Sequence, residues 1–377
     1  MKHMKMIIQK EDLLYAVNAV EKAVSGKNTL PILNSILISA EAGRAIFRAT
    51  DMELAVECVV NAETEVSGVI ATPGKKLAQL VRLLPNGPVE ILTSQGGQQL
   101  ELVYGKSRAF VPMMPPEEFP LLPEPGASDG CFRAPAVVFR RLIRQVAIAA
   151  AADELRPVFT GVLVIFNQDS VEMVATDTHR LARGKGLAMG EGQASLLLPG
   201  RVLQEVARLA VNDDEQIVVR AGQNQAFFSF ANLTFASRLI MGQYPDYQQV
   251  IPKEELFVTE MAADKRGLMD SLERAALISQ NASQKNHTVC LSLEEQGCRI
   301  SAETPDEGRI NEELPAMVSG QLFEINYNVR YLLDALKVID GEQVRLRFTG
   351  PNTPGVILPE GEDQQYLYLL LPIRVGR

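Results

Sequence analysis

A repeat inside the chain constrains its fold more than any other feature. Ala49-Thr50-Asp51 recurs as Ala175-Thr176-Asp177, 126 residues later, and Pro73-Gly74 recurs as Pro199-Gly200 at the same spacing. A structural unit must repeat at such a period, whereas a catalytic centre need not. A third, weaker copy, Ala302-Glu303-Thr304, lies 127 residues beyond the second. The chain of 377 residues therefore predicts three blocks of about 125 residues.

Each block is itself predicted to be a duplication, with two successive β-α-β-β-β units. In the first block, Leu13, Val17 and Val20 lie at helical spacing, and Leu77 and Val81 mark a second helix. Short strand patterns punctuated by glycine, proline and asparagine follow each helix. The same order of patterns returns in the second and third blocks, so the predicted fold class is α+β.

Local signals predict where several elements begin and end. Thr72, Asp264 and Asn326 are each predicted to be the N-cap of a helix, because short polar side chains accept hydrogen bonds from the first helical amides. A helix is predicted over residues 137–152, and a strand over residues 256–260.

The net charge of −9 argues against binding nucleic acid, unless the positive charge is concentrated on one surface. Much of it does lie on the predicted helices, whereas acidic residues gather in loops. If the helices line a closed ring, their small positive contributions add up to a basic channel that contacts phosphates without reading bases. Lys27, in an early turn, is one candidate DNA-binding residue. The others are on the predicted helices and are Lys75, Lys76, Arg82, Arg140, Arg141, Arg144, Arg201, Arg208, Lys265, Arg266, Arg330 and Lys337.

The four cysteines indicate an intracellular protein without a metal or redox site. Cys58, Cys131, Cys290 and Cys298 form no C-x-x-C pair, and no histidine cluster accompanies them. The N-terminus lacks the apolar core of a signal peptide, and no apolar run reaches the length of a membrane span. We therefore expect a cytoplasmic protein with no membrane association, no metal and no cofactor.

Five local signatures, in their order and spacing, resemble one known family. They are Thr29-Leu30-Pro31-Ile32-Leu33, Ala49-Thr50-Asp51-Met52-Glu53, Val174-Ala175-Thr176-Asp177-Thr178-His179-Arg180-Leu181, Tyr244-Pro245-Asp246-Tyr247 and Leu371-Pro372-Ile373-Arg374. Over essentially its whole length, the chain resembles the beta subunit of bacterial DNA polymerase III, the DNA sliding clamp.

The resemblance implies a fold and a function. The fold would be three tandem clamp domains at 1–125, 126–252 and 253–377. Two chains would form a head-to-tail homodimer, a six-domain ring with helices inside and sheets outside. Such a ring encircles double-stranded DNA without sequence preference and tethers the replicative polymerase for processive synthesis. It is not an enzyme, and its partners would be the polymerase III alpha subunit, the clamp loader, other polymerases and repair proteins.

The resemblance also implies an apolar pocket that binds a short linear motif carried by these partners. Thr178 stands where glycine often follows Thr-Asp in the family. Carried over by position, the pocket would comprise Phe159, Thr176, Thr178, His179, Arg180, Leu181, Pro245, Gln249, Val250, Leu369, Leu370, Leu371, Pro372, Ile373 and Arg374.

For the dimer contact, the family pairs an edge strand of the first domain with the third domain of the other protomer. The residues implied here are Lys106, Arg108, Phe110, Leu277, Ile278, Asp306 and Glu307. Edge-strand pairing and apolar burial would contribute more than the surface ion pairs.

Two alternatives stay open at this point. One is a specialised or inhibitor-resistant paralogue of the clamp. The other is a hydrolase in which Asp177 and His179, two residues apart on one strand, act as an acid–base pair with Ser195 as nucleophile. The sequence around Ser195 has no G-x-S-x-G turn, and the chain has no P-loop and no metal-ligand spacing.

Overall fold

The computed structural model describes residues 4–24, 30–94, 98–127, 129–153, 155–279, 287–305, 307–361 and 365–374. The predicted site residues Lys27 and Asp306 lie outside these ranges. The chain divides into two compact units. Unit 1 consists of Met1–Val137, Met189–Ala194 and Glu205–Leu239, and unit 2 consists of Val138–Ala188, Ser195–Gln204 and Ile240–Arg377.

The six helices among the described residues follow the predicted order, two in each repeat, among strands that include some that were not predicted. The helices are α1 (Lys10–Val20), α2 (Gly74–Leu83), α3 (Ala136–Val146), α4 (Gly200–Leu209), α5 (Lys265–Ile278) and α6 (Val329–Val338). The first repeat contains β1 (Lys5–Gln9), β2 (Ser35–Glu41), β3 (Arg44–Thr50), β4 (Leu54–Asn61), β5 (Glu63–Val66), β6 (Gly68–Pro73), β7 (Pro88–Thr93), β8 (Gln99–Tyr104) and β9 (Ser107–Pro112). The second contains β10 (Gly130–Pro135), β11 (Gly161–Phe166), β12 (Ser170–Thr176), β13 (Arg180–Leu187), β14 (Met189–Gly190), β15 (Ala194–Pro199), β16 (Gln216–Ala221), β17 (Gln225–Phe230) and β18 (Leu233–Arg238). The third contains β19 (Thr259–Asp264), β20 (Thr288–Glu294), β21 (Gly297–Thr304), β22 (Gly308–Gly320), β23 (Glu324–Asn328), β24 (Gln343–Phe348), β25 (Gly355–Pro359) and β26 (Tyr366–Leu370).

The two halves of each repeat exchange their first strands. In the first repeat β1 joins β7-β8-β9, while β6 joins β2-β3-β4. In the second repeat β10 joins β16-β17-β18 and β15 joins β11-β12-β13, and in the third β19 joins β24-β25-β26 and β23 joins β20-β21-β22. Each half of a repeat therefore contains a first strand that comes from the other half.

Pairing between repeats extends two of the three sheets. In unit 1, β4 pairs antiparallel with β18 in a nine-stranded sheet, and a separate five-stranded sheet ends at β9. In unit 2, β13 pairs antiparallel with β26 in a twelve-stranded sheet. In both cases the fourth strand of one repeat meets the last strand of the next repeat.

Helix starts depend on local chemistry, and two of the three predicted caps are wrong. Asp264 does cap α5, since its carboxylate accepts from the amide of Gly267 at 2.6 Å. Thr72 instead donates its hydroxyl to the carbonyl of Pro112 at 3.0 Å. Asn326 is paired within β23, and α6 is capped by the later Asn328. In both cases a residue of a distant strand hydrogen-bonds the side chain or the backbone of the predicted cap. A local sequence pattern cannot reveal such a distant partner.

Other differences from the sequence-based prediction occur where apolar periodicity is weak. Helix α3 ends at Val146 and continues only as a 3-10 turn over Ala147–Ala149, so the prediction of a helix to residue 152 is wrong. Residues 254–256 form a 3-10 turn, and the strand predicted at 256–260 begins at Thr259. The thirteen-residue β22 was not predicted, because Leu314 is its only fully buried side chain and the charged Glu312 occupies one of the inward positions of its alternating pattern.

Candidate functional site

A cavity of about 250 Å³ opens on the surface of unit 2, and we call it the unit 2 groove. It lies between the start of β13, the end of β26, a 3-10 turn over Pro157–Thr160 and the segment after residue 244. Its walls are mostly apolar. The lining residues are Phe159, Thr176, Thr178, Arg180, Leu181, Pro245, Asp246, Tyr247, Val250, Leu369 and Leu371.

The turn between β12 and β13 forms one wall of the groove. The Thr176 hydroxyl donates to the carbonyl of Arg180 at 2.6 Å and accepts from the amide of Thr178 at 3.1 Å. One carboxylate oxygen of Asp177 accepts from the amides of His179 and Arg180 at 2.9 and 3.1 Å. Thr178 has a φ of 78°, a left-handed conformation that favours glycine. The turn therefore holds a threonine at a position where the resemblance implies glycine.

The same contacts remove the support for the hydrolase alternative. Asp177 and His179 both lie in the turn between β12 and β13, so they do not share the face of a strand. The Asp177 carboxylate is occupied by the two turn amides and by the guanidinium of Arg180, at 2.9 Å from Nε. The prediction that Asp177 could pair with the His179 imidazole is therefore wrong. Within the described residues, no cluster of His, Cys, Asp and Glu could hold a metal ion.

Arg180 is fixed by partners on three sides. Its Nε donates to Asp177, and its Nη1 donates to Asp334 at 2.7 Å and to the Tyr368 hydroxyl at 3.3 Å. The guanidinium also stacks 4.2 Å above the ring of Tyr331. Burial alone lowers the pKa of Arg180, but the Tyr368 hydroxyl and the two carboxylates outweigh it and raise the pKa above its ordinary value. Because its charge is already neutralised, Arg180 forms a rigid wall and is not a free cation for a ligand.

The floor of the groove is a buried apolar cluster. Leu181, Tyr247 and Leu369 pack with Val174, Val356 and Leu358. Strand register brings the two leucines together, since Leu181 of β13 lies opposite Leu369 of β26. At the mouth, Val250 is 52% exposed and Leu371 is 39% exposed. An apolar ligand would cover these two side chains and so remove apolar surface from water.

Tyr247 lines the unit 2 groove but is not among the pocket residues predicted from the sequence, although it belongs to the Tyr-Pro-Asp-Tyr signature. Its hydroxyl donates to the carboxylate of Glu172, which also accepts from Arg183 at 2.7 Å. Burial and then this hydrogen bond raise the pKa of Tyr247. Asp246, also missed, caps the short turn that follows it by accepting from the amide of Gln248 at 3.2 Å. The Tyr-Pro-Asp-Tyr motif was the available signal, but only its proline had been assigned to the pocket.

Several predicted pocket residues lie outside the lining. His179 is exposed, and its carbonyl accepts from the amide of Leu371 at 3.0 Å. Leu370 is buried, and it lies between the lining residues Leu369 and Leu371 in sequence. Strand alternation places its side chain on the face opposite to theirs. Gln249 hydrogen-bonds Asp246 at the rim. Pro372, Ile373 and Arg374 follow β26, and the amide of Ile373 donates to Asn326 at 2.8 Å.

Comparison with known proteins decides which family this fold represents. Three models of one family match the chain in succession, namely the N-terminal domain of the DNA polymerase III beta subunit over residues 4–123, its central domain over residues 134–246 and its C-terminal domain over residues 248–374. The chain belongs to the DNA polymerase III beta subunits, the bacterial sliding clamps. The predicted fold class, three tandem clamp domains of mixed helices and sheets, is confirmed.

Individual sliding clamps agree with this assignment along the whole chain. The beta sliding clamp of Staphylococcus aureus is 30% identical over 381 residues, which cover 98% of this chain and 99% of that protein. The crystal structure of the Bacillus subtilis clamp superposes with a TM-score of 0.92 at 29% identity, covering 99% of this chain and 100% of that one. The Pseudomonas aeruginosa clamp, solved bound to griselimycin, has a TM-score of 0.91 at 29% identity with the same coverage.

In this clamp, the predicted DNA-binding residues fall into two groups. Arg82, Arg144 and Arg208 make ion pairs within the chain, with Glu21, Asp340 and Glu205 respectively. Lys265 donates to the carbonyl of Ile339, and Arg140, Arg141 and Arg201 have contacts of their own. The remaining described helix cations are exposed and are Lys75, Lys76, Arg266, Arg330 and Lys337.

The described residues among those predicted for the dimer contact lie in three places. Lys106 is in the turn before β9, and Arg108 and Phe110 are on that strand. Phe110 is exposed, and Arg108 pairs with Glu101 of the neighbouring strand at 2.9 Å. The others lie at the end of α5, where Leu277 is exposed and Ile278 partly buried, and at the exposed Glu307.

No helix among the described residues is long and apolar enough to cross a membrane.

Proposed function

We propose that two copies of this clamp close into a ring that encircles duplex DNA and tethers the replicative polymerase. The observation that carries the proposal is a pairing rule. The fourth strand of a repeat pairs with the last strand of the next repeat twice, as β4 with β18 and β13 with β26. The equivalent strands without such a partner among the described residues are β9, at the end of its sheet, and the first half of β22.

Applying the rule to these two edges gives an interface between protomers. Strand β9 of one copy would pair with residues 308–312 of β22 in the other, and the reciprocal contact would close a head-to-tail ring. The register follows from the two observed pairs, Leu54 with Ser237 and Arg180 with Leu370. Transferred to the open edges, it places Ala109 opposite Ile310 and Phe110 opposite Arg309. Edge strands with open hydrogen-bonding groups favour such pairing.

This register can be tested with cysteine pairs. A protein carrying Ala109→Cys and Ile310→Cys should form covalent dimers on mild oxidation, because directly opposed residues bring their Cβ atoms about 4.5–5.5 Å apart. The yield is measured as the dimer band on non-reducing gels. The matched control combines Ala109→Cys with Asn311→Cys, because a shift of one residue turns the side chain to the other sheet face. Equal crosslinking of both pairs, or of neither, would contradict the proposed register.

The interior of the ring is proposed to bind DNA through phosphates and without reading the sequence. The exposed helix cations Lys75, Lys76, Arg266, Arg330 and Lys337 support this role, as do the duplicated helices that carry them. Such contacts add a sequence-independent, salt-dependent attraction and permit sliding. The ion-paired arginines of the same helices can contribute only if phosphate replaces their carboxylate partners.

Replacing Lys75 and Lys76 by glutamate should weaken duplex binding most at low salt. Each lost phosphate contact lowers the slope of log affinity against log salt by about 0.9, so the double variant should bind with a slope smaller by about 2. Fluorescence anisotropy of a labelled duplex across a salt series measures this slope. Lys185→Glu with Lys253→Glu carries the same charge change at exposed positions outside the helices and should leave the slope unchanged. An equal effect of both variants would argue for net charge alone.

The unit 2 groove is proposed to dock short linear motifs of partner proteins. Its apolar floor and its two exposed apolar side chains at the mouth support an extended peptide with apolar anchors. A related clamp has been solved with a bound ligand, griselimycin. The proposed partners are the polymerase III alpha subunit, the clamp loader, other polymerases and repair proteins. A peptide groove of this size corresponds to micromolar affinity, about −8 kcal/mol.

This role requires no chemistry from the clamp itself, and we propose that it is not an enzyme. We also propose domain boundaries at 1–125, 126–252 and 253–377, and action on the bacterial chromosome in the cytoplasm. Retained activity of a peptide or nucleotide hydrolase in purified protein, lost on His179→Ala, would contradict the non-catalytic assignment.

A further inference from the structure

The turn that forms one wall of the unit 2 groove is built a second time in unit 1. The Thr50 hydroxyl donates to the carbonyl of Leu54 at 2.9 Å, as Thr176 donates to Arg180 at 2.6 Å. In each turn the aspartate accepts from two backbone amides. Met52 has a φ of 75°, against 78° for its counterpart. Duplication has thus preserved the turn in detail, although its side chains differ.

The strands beside this turn also repeat. Ala55 of β4 lies opposite Ala236 of β18, in the place of Leu181 opposite Leu369 in unit 2. A cavity of about 160 Å³ opens between the turn, residues 120–123 and residues 236–238, and we call it the unit 1 groove. The same backbone frame therefore produces a cavity at the equivalent place in each unit.

The lining of the unit 1 groove combines apolar with polar side chains, and part of its apolar surface faces water. Leu122 packs on Ala55, Phe227 and Ala236 to form the floor. At the mouth, Leu121 is 98% exposed and Met52 is 43% exposed. A leucine that is almost wholly in water beside a cavity is an apolar anchor point without a partner among the described residues of unit 1.

The charge of the unit 1 groove distinguishes its ligand from that of the unit 2 groove. Arg238 lines the cavity and is exposed, and within the described residues its guanidinium makes no ion pair. Arg238 lies two residues after Ala236, and the equivalent position in unit 2, two residues after Leu369, is occupied by the uncharged Leu371. The acidic lining residue Glu53 is also exposed, and it has an interaction of its own. Arg238 is therefore the lining cation that remains available for a carboxylate, and it lies beside exposed apolar side chains.

We propose that the unit 1 groove is a second docking site, which binds an extended acidic peptide. An aliphatic side chain of the peptide would cover Met52 and Leu121, and a neighbouring carboxylate would pair with Arg238. The small cavity implies weak binding, so this site would act together with a stronger contact elsewhere on the same partner. The proposal does not depend on peptide binding in the unit 2 groove.

Met52 makes the proposal testable in the full-length protein. With methionine methyl groups labelled with ¹³C, titration of the synthetic peptide SLVDLD should shift the Met52 methyl signal saturably, because this side chain lines the site. The signal is assigned by its loss in Met52→Leu. The matched peptide SLVKLK, of the same length and apolar content, should shift it at least threefold less.

Two variants separate the sites. Arg238→Glu should weaken SLVDLD binding at the Met52 signal about three- to tenfold, since it removes one exposed charge pair and adds a repulsion. Val250→Asp, in the unit 2 groove, should leave the Met52 titration unchanged. An unmoved Met52 signal, an equal response to both peptides, or an equal response in Arg238→Glu would overturn the proposal. A Met52 shift that follows protein concentration without peptide would also overturn it, in favour of a second copy of the chain.

Discussion

A clamp carrying Val250→Asp should lose at least tenfold in affinity for a polymerase-derived linear motif and should no longer support processive synthesis. Val250 is 52% exposed at the mouth of the unit 2 groove, so a docked peptide would cover it. Full burial of an aliphatic side chain contributes about 1.5–3 kcal/mol, so covering the exposed half of Val250 contributes about 0.8–1.5 kcal/mol, and 1.4 kcal/mol corresponds to a factor of ten. The aspartate would also have to lose its water without a partner.

Peptide anisotropy and primer extension by DNA polymerase III measure the two losses. Val211→Asp provides the matched control, because Val211 is 71% exposed and lies outside the unit 2 groove. Both variants should remain dimeric by light scattering and unfold at the wild-type temperature, since each changes an exposed side chain. Wild-type peptide affinity in Val250→Asp would place the docking site elsewhere.

Cutting the DNA should release almost all of a clamp that has been loaded on a nicked circle. A closed ring is held by topology, so its retention does not depend on strong contacts with any phosphate. Linearisation removes the topological barrier, and the clamp then slides off the ends. Gel filtration before and after cleavage by a single-site nuclease measures the fraction retained.

The control is a linear duplex whose ends are blocked by bound protein, from which release should again be slow. A protein that adheres to the duplex through local contacts would stay on the unblocked linear product. Retention there at unchanged salt would contradict the ring.

The sequence predicted the repeat well because its markers are local. Pro-Gly marks the start of α2 and α4, and a Cβ at Gly74 would lie 2.7 Å from Val24 Cγ2, so the packing requires glycine. The Thr-Asp turns are likewise held by hydrogen bonds within five residues. Signals of this kind survive in sequence because each residue acts on its own neighbours.

The groove was predicted less completely, because its walls come from distant parts of the chain. Tyr247 is fixed by a hydrogen bond to Glu172, 75 residues away, and by packing against Leu181 and Leu369. Arg180 was expected to face a ligand, but Asp334 and Tyr331 occupy its guanidinium. Asp177 stands only three residues before Arg180, but Asp334 and Tyr331 are distant in sequence, so a local pattern reveals only one of the partners of its charge.

The sequence alone determined the threefold duplicated architecture and the family, since periodicity and turn motifs are short-range properties. Tertiary structure decided which residues share a cavity and which charges remain available. Tertiary structure also decided which strand edges stay open, because the strands that pair between repeats lie more than a hundred residues apart in the chain. The turn at Thr50 and the turn at Thr176 are alike in sequence and backbone. Their grooves differ because different strands and segments pack beside them, with Arg238 beside one and Leu371 beside the other.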